Sequence, residues 1–374
     1  MPQFFASTSI GLADVLEKEL VDLGLKPKLK MKGGVIFESN WEGCYKANLH
    51  SRYASRILKP VLEFPAYNLD ELYHNIRRHD FTKYIRPDQT MTVEAKIEES
   101  AIRDQRMVAM KVKDAVVDQF RDAYGVRPDV DNYSASLRVH VKAYKNQYYV
   151  SVDTSGESLF KRGYRTAAGE APMKENLGAG LLGLAEWDRK SPIVDPMCGS
   201  GTILIEAALM ALNVAPGLLR TKFAFQDFKG FEKEVWEKVV NEAADVAQEE
   251  LDFKFYGFDH DREVLMKAKA NAKKAGVDHV IEFKKEIITT LKKPVEQGTI
   301  VTNPPYGARI GEEDNLKDVY RDFSHTLKTE FKGWSAWMLA GNKDLISELR
   351  LKSTRKHFVF NGSIECRFLK YEMF

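Results

Sequence analysis

Between Ser191 and Leu212 the chain runs from a short apolar segment through a glycine turn into a helix without a break. No other stretch constrains the fold as much. Ser191-Pro-Ile-Val-Asp195 has the length and apolarity of a strand buried on both faces. Asp195-Pro-Met-Cys198-Gly199-Ser-Gly201 supplies the turn, and Thr202-Ile-Leu-Ile-Glu-Ala-Ala-Leu-Met-Ala-Leu212 is a strong helix former. Glycines let the backbone approach a ligand closely, and a helix start offers free N–H groups. The C-terminal half repeats the rhythm, with strands expected at about 192–195, 254–258, 280–283, 299–302 and 335–340. Lys356–Phe360 and Ile364–Tyr371 follow, close enough to pair as an antiparallel hairpin. The expectation is an α/β domain with a mostly parallel seven-stranded sheet and helices on both faces.

The turn narrows the ligand. Gly199-Ser-Gly201-Thr-Ile-Leu204 lacks the third glycine of the dinucleotide fingerprint, and no Gly-Lys-Ser/Thr phosphate loop lies near it. Asp195 instead ends the strand ahead of the turn. A carboxylate there disfavours a pyrophosphate and suits a cationic amino-acid moiety, the feature of S-adenosylmethionine; the plainer reading is a turn residue before Pro196. Candidate cofactor residues are therefore Asp195, Cys198, Gly199, Gly201 and Thr202, with Cys198 as a small packed residue and not a nucleophile, since it has no neighbouring base. Phe253–Phe258 forms an aromatic strand ending in Asp259, and an amphipathic helix from Asp261 stops at Gly276. Asp261 is expected to cap that helix and Asp259 to accept from a ribose diol. After the strand at 280–283, Glu286 is either an acceptor for an adenine amine or surface charge.

About a hundred residues after the glycine turn, the apolar run Gly298–Thr302 leads into Asn303-Pro304-Pro305-Tyr306. Two prolines fix φ and remove two backbone donors, so the loop shows carbonyl oxygens and resists helix formation. Asn303 adds an amide oxygen and Tyr306 a flat face. A planar amine would meet acceptors at its edge and an aromatic at its face, which makes Asn303, Pro304 and Tyr306 the catalytic candidates, with Asn303 also facing the cofactor. None of the eight histidines stands near the motif as an obvious base.

These residues resemble the class I, Rossmann-like methyltransferases that modify exocyclic amines, and more narrowly the THUMP-containing rRNA guanine-N2 methyltransferases of the large subunit. The likeness is carried by residues 195–208, Gly-Phe-Asp-His-Asp at 257–261 and Thr-Asn-Pro-Pro-Tyr-Gly at 302–307. Ser155–Arg165, Ala171–Asn176, and Phe223-Ala-Phe225 with Trp236 narrow it further. That family usually has Asp at the adenine-contacting position, so Glu286 is a departure. The resemblance implies a Rossmann-like seven-stranded methyltransferase sheet preceded by an α+β ferredoxin-like/THUMP region, S-adenosylmethionine as donor, and RNA as partner, either large-subunit rRNA or its assembly intermediates. A tRNA guanine-N2 enzyme is the alternative within the class. DNA adenine-N6 and release-factor glutamine methyltransferases share Asn-Pro-Pro-Tyr but have no need of an RNA handle. A non-catalytic RNA-binding assembly factor with a retained methyltransferase fold is the alternative outside it.

The expected organisation is a ferredoxin-like subdomain at 1–65, a THUMP RNA-binding domain at 66–155, a linker and helix at 156–188, and the methyltransferase domain at 189–374. In the first, strands are expected at 3–9, 34–38 and 55–64, and helices at 12–20 and 41–49. A helix from Asp104 to Tyr124 and a hairpin of Leu137–Tyr144 with Gln147–Asp153 mark the second. Alternation puts Arg138, His140 and Lys142 on one hairpin face. Arg138 and Lys142, with Lys161, Arg162 and Arg165 of the linker, are the candidate RNA contacts. The formal charge is +2, so any nucleic-acid surface must be local. Three widely spaced cysteines make no metal or disulfide pattern. No apolar run approaches a membrane span, and Met1–Ser7 does not read as an export signal, so the expected setting is cytoplasmic with no metal and no membrane.

Overall fold

The computed structural model describes residues 1–165, 173–306 and 313–374; Ala171, Pro172 and Gly307 of the motifs above lie outside them. Gln3–Ser7 (β1), Ala13–Asp22 (α1), Lys26–Met31 (β2), Gly34–Glu38 (β3), Trp41–His50 (α2) and Arg56–Pro65 (β4) come first. The second region holds Leu69–Ile76 (α3), Thr90–Glu98 (β5), Gln105–Tyr124 (α4), Asp129–Val130 (β6), Leu137–Tyr144 (β7) and Gln147–Asp153 (β8). Among the described residues these strands make one sheet in the order β2-β3-β1-β4-β8-β7-β5-β6. The order β2-β3-β1-β4 with two helices is the ferredoxin-like arrangement. β4 pairs antiparallel with β8, so the two regions share one sheet.

β2 was not legible in the sequence. Lys26, Lys28 and Lys30 alternate with Pro27, Leu29 and Met31, and all but one of its residues are exposed. Charge and proline on an outermost strand discourage pairing with a further chain, which is how sheet edges are protected. α4 is capped at both ends: Asp104 accepts from Arg106 and Met107 N–H, and Gly125 closes it in the left-handed region at φ 70°.

The C-terminal half contains Glu175–Leu184 (α5), Ile193–Asp195 (β9), Thr202–Ala211 (α6), Lys233–Asp245 (α7), Phe255–Asp259 (β10), Arg262–Lys274 (α8), Ile281–Lys285 (β11), Thr299–Thr302 (β12), Glu313–Glu330 (α9), Ser335–Ala340 (β13), Lys343–Glu348 (α10), Arg355–Asn361 (β14) and Ile364–Glu372 (β15). The sheet order is β11-β10-β9-β12-β13-β15-β14, parallel through β13, with β15 antiparallel to β13 and β14. The strand order reverses direction at β9 and β12. Open α/β sheets bind ligands at such a switch point, outside the carboxyl ends of the strands.

The insertion after α6 ties the halves together. Tyr45 of α2 packs on Phe225 at 4.6 Å between ring centroids and meets Trp236 of α7 edge-on at 6.1 Å. Lys229 N–H donates to the Tyr84 carbonyl at 2.8 Å.

Candidate active site

Four candidate residues stand at four neighbouring strand ends. In sheet order they are Glu286 just after β11, Asp259 ending β10, Asp195 ending β9 and Asn303 just after β12. The glycine turn is pinned among them: Cys198 N–H donates to the Phe258 carbonyl at 2.9 Å, and Gly199 N–H donates to Asp259 Oδ2 at 3.0 Å. Gly199 and Gly201 lie at φ 53° and 81°, in the left-handed region that disfavours a side chain. They differ in what surrounds them. A Cβ on Gly201 would lie 3.0 Å from Phe283 Cζ, so that glycine serves packing, whereas one on Gly199 would meet nothing within 4 Å. The space over Gly199 is open for a ligand.

Asp195 is 2% exposed. Its Oδ1 accepts from Thr302 Oγ1 at 2.7 Å and from Met197 N–H at 3.2 Å. Burial lifts its carboxyl to about 7, opposed by those two hydrogen bonds and reinforced by the Asp259 charge. A buried acid so poised is stabilised in its ionised form by a cation. Asp259 accepts at Oδ1 from Asp261 N–H at 3.0 Å, with His260 Nδ1 3.3 Å from the same oxygen. Asp261 is the cap of α8, accepting from Glu263 and Val264 N–H. Glu286 follows β11, where its N–H donates to the Asp259 carbonyl at 3.1 Å, while Oε1 accepts from Thr290 Oγ1 and Ile287 N–H. Cys198 is buried and its thiol is held well above the ordinary range by burial, so it is packing and not a nucleophile. Thr202, buried, is the first residue of α6.

Asn303 carries the most telling feature of the site. Its Oδ1 is buried and has no hydrogen-bond partner among the described residues. A buried unpaired acceptor costs about 1–3 kcal/mol, so a donor from outside the chain is the natural complement. Pro304 beside it is buried and Pro305 exposed. Tyr306 accepts from Asn361 Nδ2 at 2.7 Å, and its ring lies so close to Gly341 that a Cβ there would be 2.5 Å from Cδ2. Gly341 and Asn361 were not singled out in the sequence, and Thr302 was read as part of the 302–307 motif but given no role. Thr302 alone carried a signal, as the last strand residue before Asn303.

The expected RNA contacts divide. Arg162 is a correction: it is 1% exposed, with Nη1 and Nη2 donating to the Leu159 and Arg52 carbonyls and Nη2 3.5 Å from Glu206 Oε2. Its neighbour Lys161 is exposed and pairs with Glu157 at 2.7 Å. Arg165 is also turned inward, donating to Glu175 at 3.1 Å, to the Met173 carbonyl at 2.9 Å, and to Ser200 Oγ and Thr202 Oγ1 at 3.3 Å each. It braces the glycine turn. Arg138 is a second correction, buried against Glu94, and His140 bonds Asp153 at 3.2 Å. Lys142 on the same strand stays exposed. Alternation fixed which face these residues share, but not that β5 would cover Arg138 with a carboxylate.

The donor set fits S-adenosylmethionine: open space above Gly199, a buried acid at Asp195, and Asp259 at the next strand end. Among the described residues no group of three or more His, Cys, Asp or Glu side chains could hold a metal, and no helix is long and apolar enough to cross a membrane.

Comparison with known proteins places the chain in a family. Residues 162–370 match the model of the RMKL-like methyltransferase domain, 3–58 that of the RlmL ferredoxin-like domain, and 66–153 that of the THUMP domain. A Synechocystis protein, provisionally assigned as an RNA methyltransferase, is 36% identical over 99% of this chain and 97% of its own length. The ribosomal RNA large subunit methyltransferase K/L of Methylococcus capsulatus is 38% identical over 99% of this chain, which spans 51% of that larger protein. A crystal structure of a provisionally assigned methyltransferase complexed with SAH superposes with a TM-score of 0.90 at 32% identity, covering 100% of this chain and 98% of that one. The chain belongs to the THUMP-containing, RMKL-like family of S-adenosylmethionine-dependent methyltransferases.

Proposed function

We propose that the protein methylates the N2 amine of a guanosine in large-subunit rRNA, as free RNA or in an assembling cytoplasmic particle. The unpartnered, buried Asn303 Oδ1 beside the glycine turn carries this reading. The THUMP match supports RNA as the substrate, and the name of the Methylococcus relative supports large-subunit rRNA.

When bound, the donor supplies an electrophilic methyl group. Asp195 and the turn at Gly199–Gly201 would hold its cationic amino-acid end, and Asp259 would hold its ribose. A base inside a helix cannot reach this depth, so the nucleotide is unpaired or flipped out. Asn303 Oδ1 and the Pro304 carbonyl accept from the two amine hydrogens, which turns the nitrogen lone pair toward the methyl. Those bonds strengthen as the amine gains positive charge, so they stabilise the transition state more than the ground state. Tyr306, fixed by Asn361, offers its ring to the base. The proton leaves after transfer, without a dedicated base at the motif.

The test is incubation of the protein with labelled donor and total RNA from cells lacking it, followed by nucleoside digestion. Label in N2-methylguanosine of large-subunit rRNA is expected. Label in tRNA or in N6-methyladenosine would reassign the substrate, and failure to bind the donor would favour a non-catalytic RNA-binding assembly factor.

A further inference from the structure

Four segments of the chain close around an aromatic cavity of about 250 Å³. Trp41 starts α2 and Lys59 stands on β4; Lys83 and Tyr84 follow α3; Phe228 and Phe231 come from the insertion between α6 and α7. Trp41 and Tyr84 meet Phe228 edge-on, at 6.2 and 5.5 Å between centroids. Lys59 Nζ lies 5.0 Å from the Trp41 ring centre, and Lys83 Nζ lies 5.5 Å from that of Tyr84.

The rings alone are explained by packing, since Tyr84 and Phe228 are nearly fully buried and join the two halves. The two ammonium groups lie over rings, Lys59 over Phe4 at 5.4 Å as well as over Trp41, but no anion of the described residues balances them. Among the described residues neither has a carboxylate at ion-pair distance, whereas Lys46 and Lys161 each have one and Lys30 has two. Asp80, near in sequence, is turned to the Thr82 hydroxyl at 2.6 Å. Burial lowers the pKa of the Lys59 ammonium; Cys44 opposes that shift and the nearby Lys83 charge adds to it. Trp41 and Phe231 keep part of their surface open. A cationic rim on an aromatic wall is how single-stranded nucleic acid is held, and the cavity is below the roughly 300–1,000 Å³ of drug-sized ligand sites, room for one base and not for a duplex.

We propose that this cavity binds one unpaired nucleotide of the RNA, its base against Trp41 and Phe231 and its phosphate between Lys59 and Lys83. The inference rests on RNA being the substrate.

It is tested with the full chain and a short single-stranded RNA carrying 5-iodouridine. Photo-crosslinks are expected on peptides containing Trp41, Tyr84 or Phe231. Lys59→Gln with Lys83→Glu should lower the slope of log affinity against log salt by about 1.4, for two lost phosphate contacts at ~0.7 each, with donor binding and melting temperature unchanged. Lys83→Glu alone, at an exposed position, should give about half that change in an unperturbed fold. If crosslinks fall only elsewhere, or the folded Lys83→Glu variant keeps the wild-type slope, while the wild type still binds and methylates RNA, the cavity proposal is overturned and the proposed function stands. If the wild type neither binds nor methylates any RNA, both fall together.

Discussion

Replacing Asp195 with Asn should make the protein more stable and less able to bind its donor. The carboxyl is raised from 3.8 to about 7, chiefly by burial. In the unfolded chain it ionises near 3.8, so its contribution to stability is complete below about pH 4 and is lost as pH rises through 7. At 1.36 kcal/mol per pH unit, that interval is worth about 4 kcal/mol at pH 8 and under about 2 kcal/mol at pH 5. An Asn at this position keeps an Oδ1 to accept from Thr302 and Met197 and never ionises. Urea unfolding without donor should therefore show Asp195→Asn more stable than wild type by about 4 kcal/mol at pH 8, the gap narrowing toward pH 5. Calorimetric titration should show the opposite for function. Wild-type donor affinity should fall about tenfold per pH unit below 7, with proton release on binding, and the variant should bind weakly at every pH. If the variant were no more stable at pH 8, or the gap did not change with pH, the argument that Asp195 is a strained acid awaiting a cation would fail.

Arg162→Ala would remove the ion-pair partner of buried Glu206, leaving it the Tyr164 hydroxyl at 3.0 Å, and should cost about 3–5 kcal/mol in urea unfolding; a loss under about 1 kcal/mol would contradict the buried ion pair. Gly341→Ala puts a Cβ 2.5 Å from Tyr306 Cδ2, which displaces the ring. Methyl transfer should fall by tenfold or more with donor affinity unchanged, and normal turnover would remove Tyr306 from the base-binding site.

The methyltransferase sheet was readable because its central strands β9, β12 and β13 are apolar and buried on both faces, while the turns that follow β9 and β12 are polar or rich in glycine and proline. Ile193–Asp195 and Thr299–Thr302 stand where the pattern put them. The outer strand β2 escaped because three lysines and a proline suit an exposed edge and look like a loop. Within the site, Asp195 and Asn303 could be named from their place at strand ends, but the contact that joins them, Thr302 to Asp195, depends on how β9 and β12 register. Arg162 and Arg138 show the opposite limit. A basic residue in a linker or a half-exposed strand reads as surface charge, and only the positions of Glu206 and Glu94 reveal that each is spent inside the fold.

Single-turnover methyl transfer by Asn303→Ala, with donor affinity measured on the same preparation, bears most directly on the amine clamp. Loss of one preorganised group at a site of developing charge typically costs about 10²–10³ in rate. The variant should lose at least a hundredfold in the transfer step while its donor dissociation constant stays within about twofold of wild type. Wild-type transfer by that variant, or a loss explained wholly by weaker donor binding, would contradict the role given to the Asn303 carboxamide.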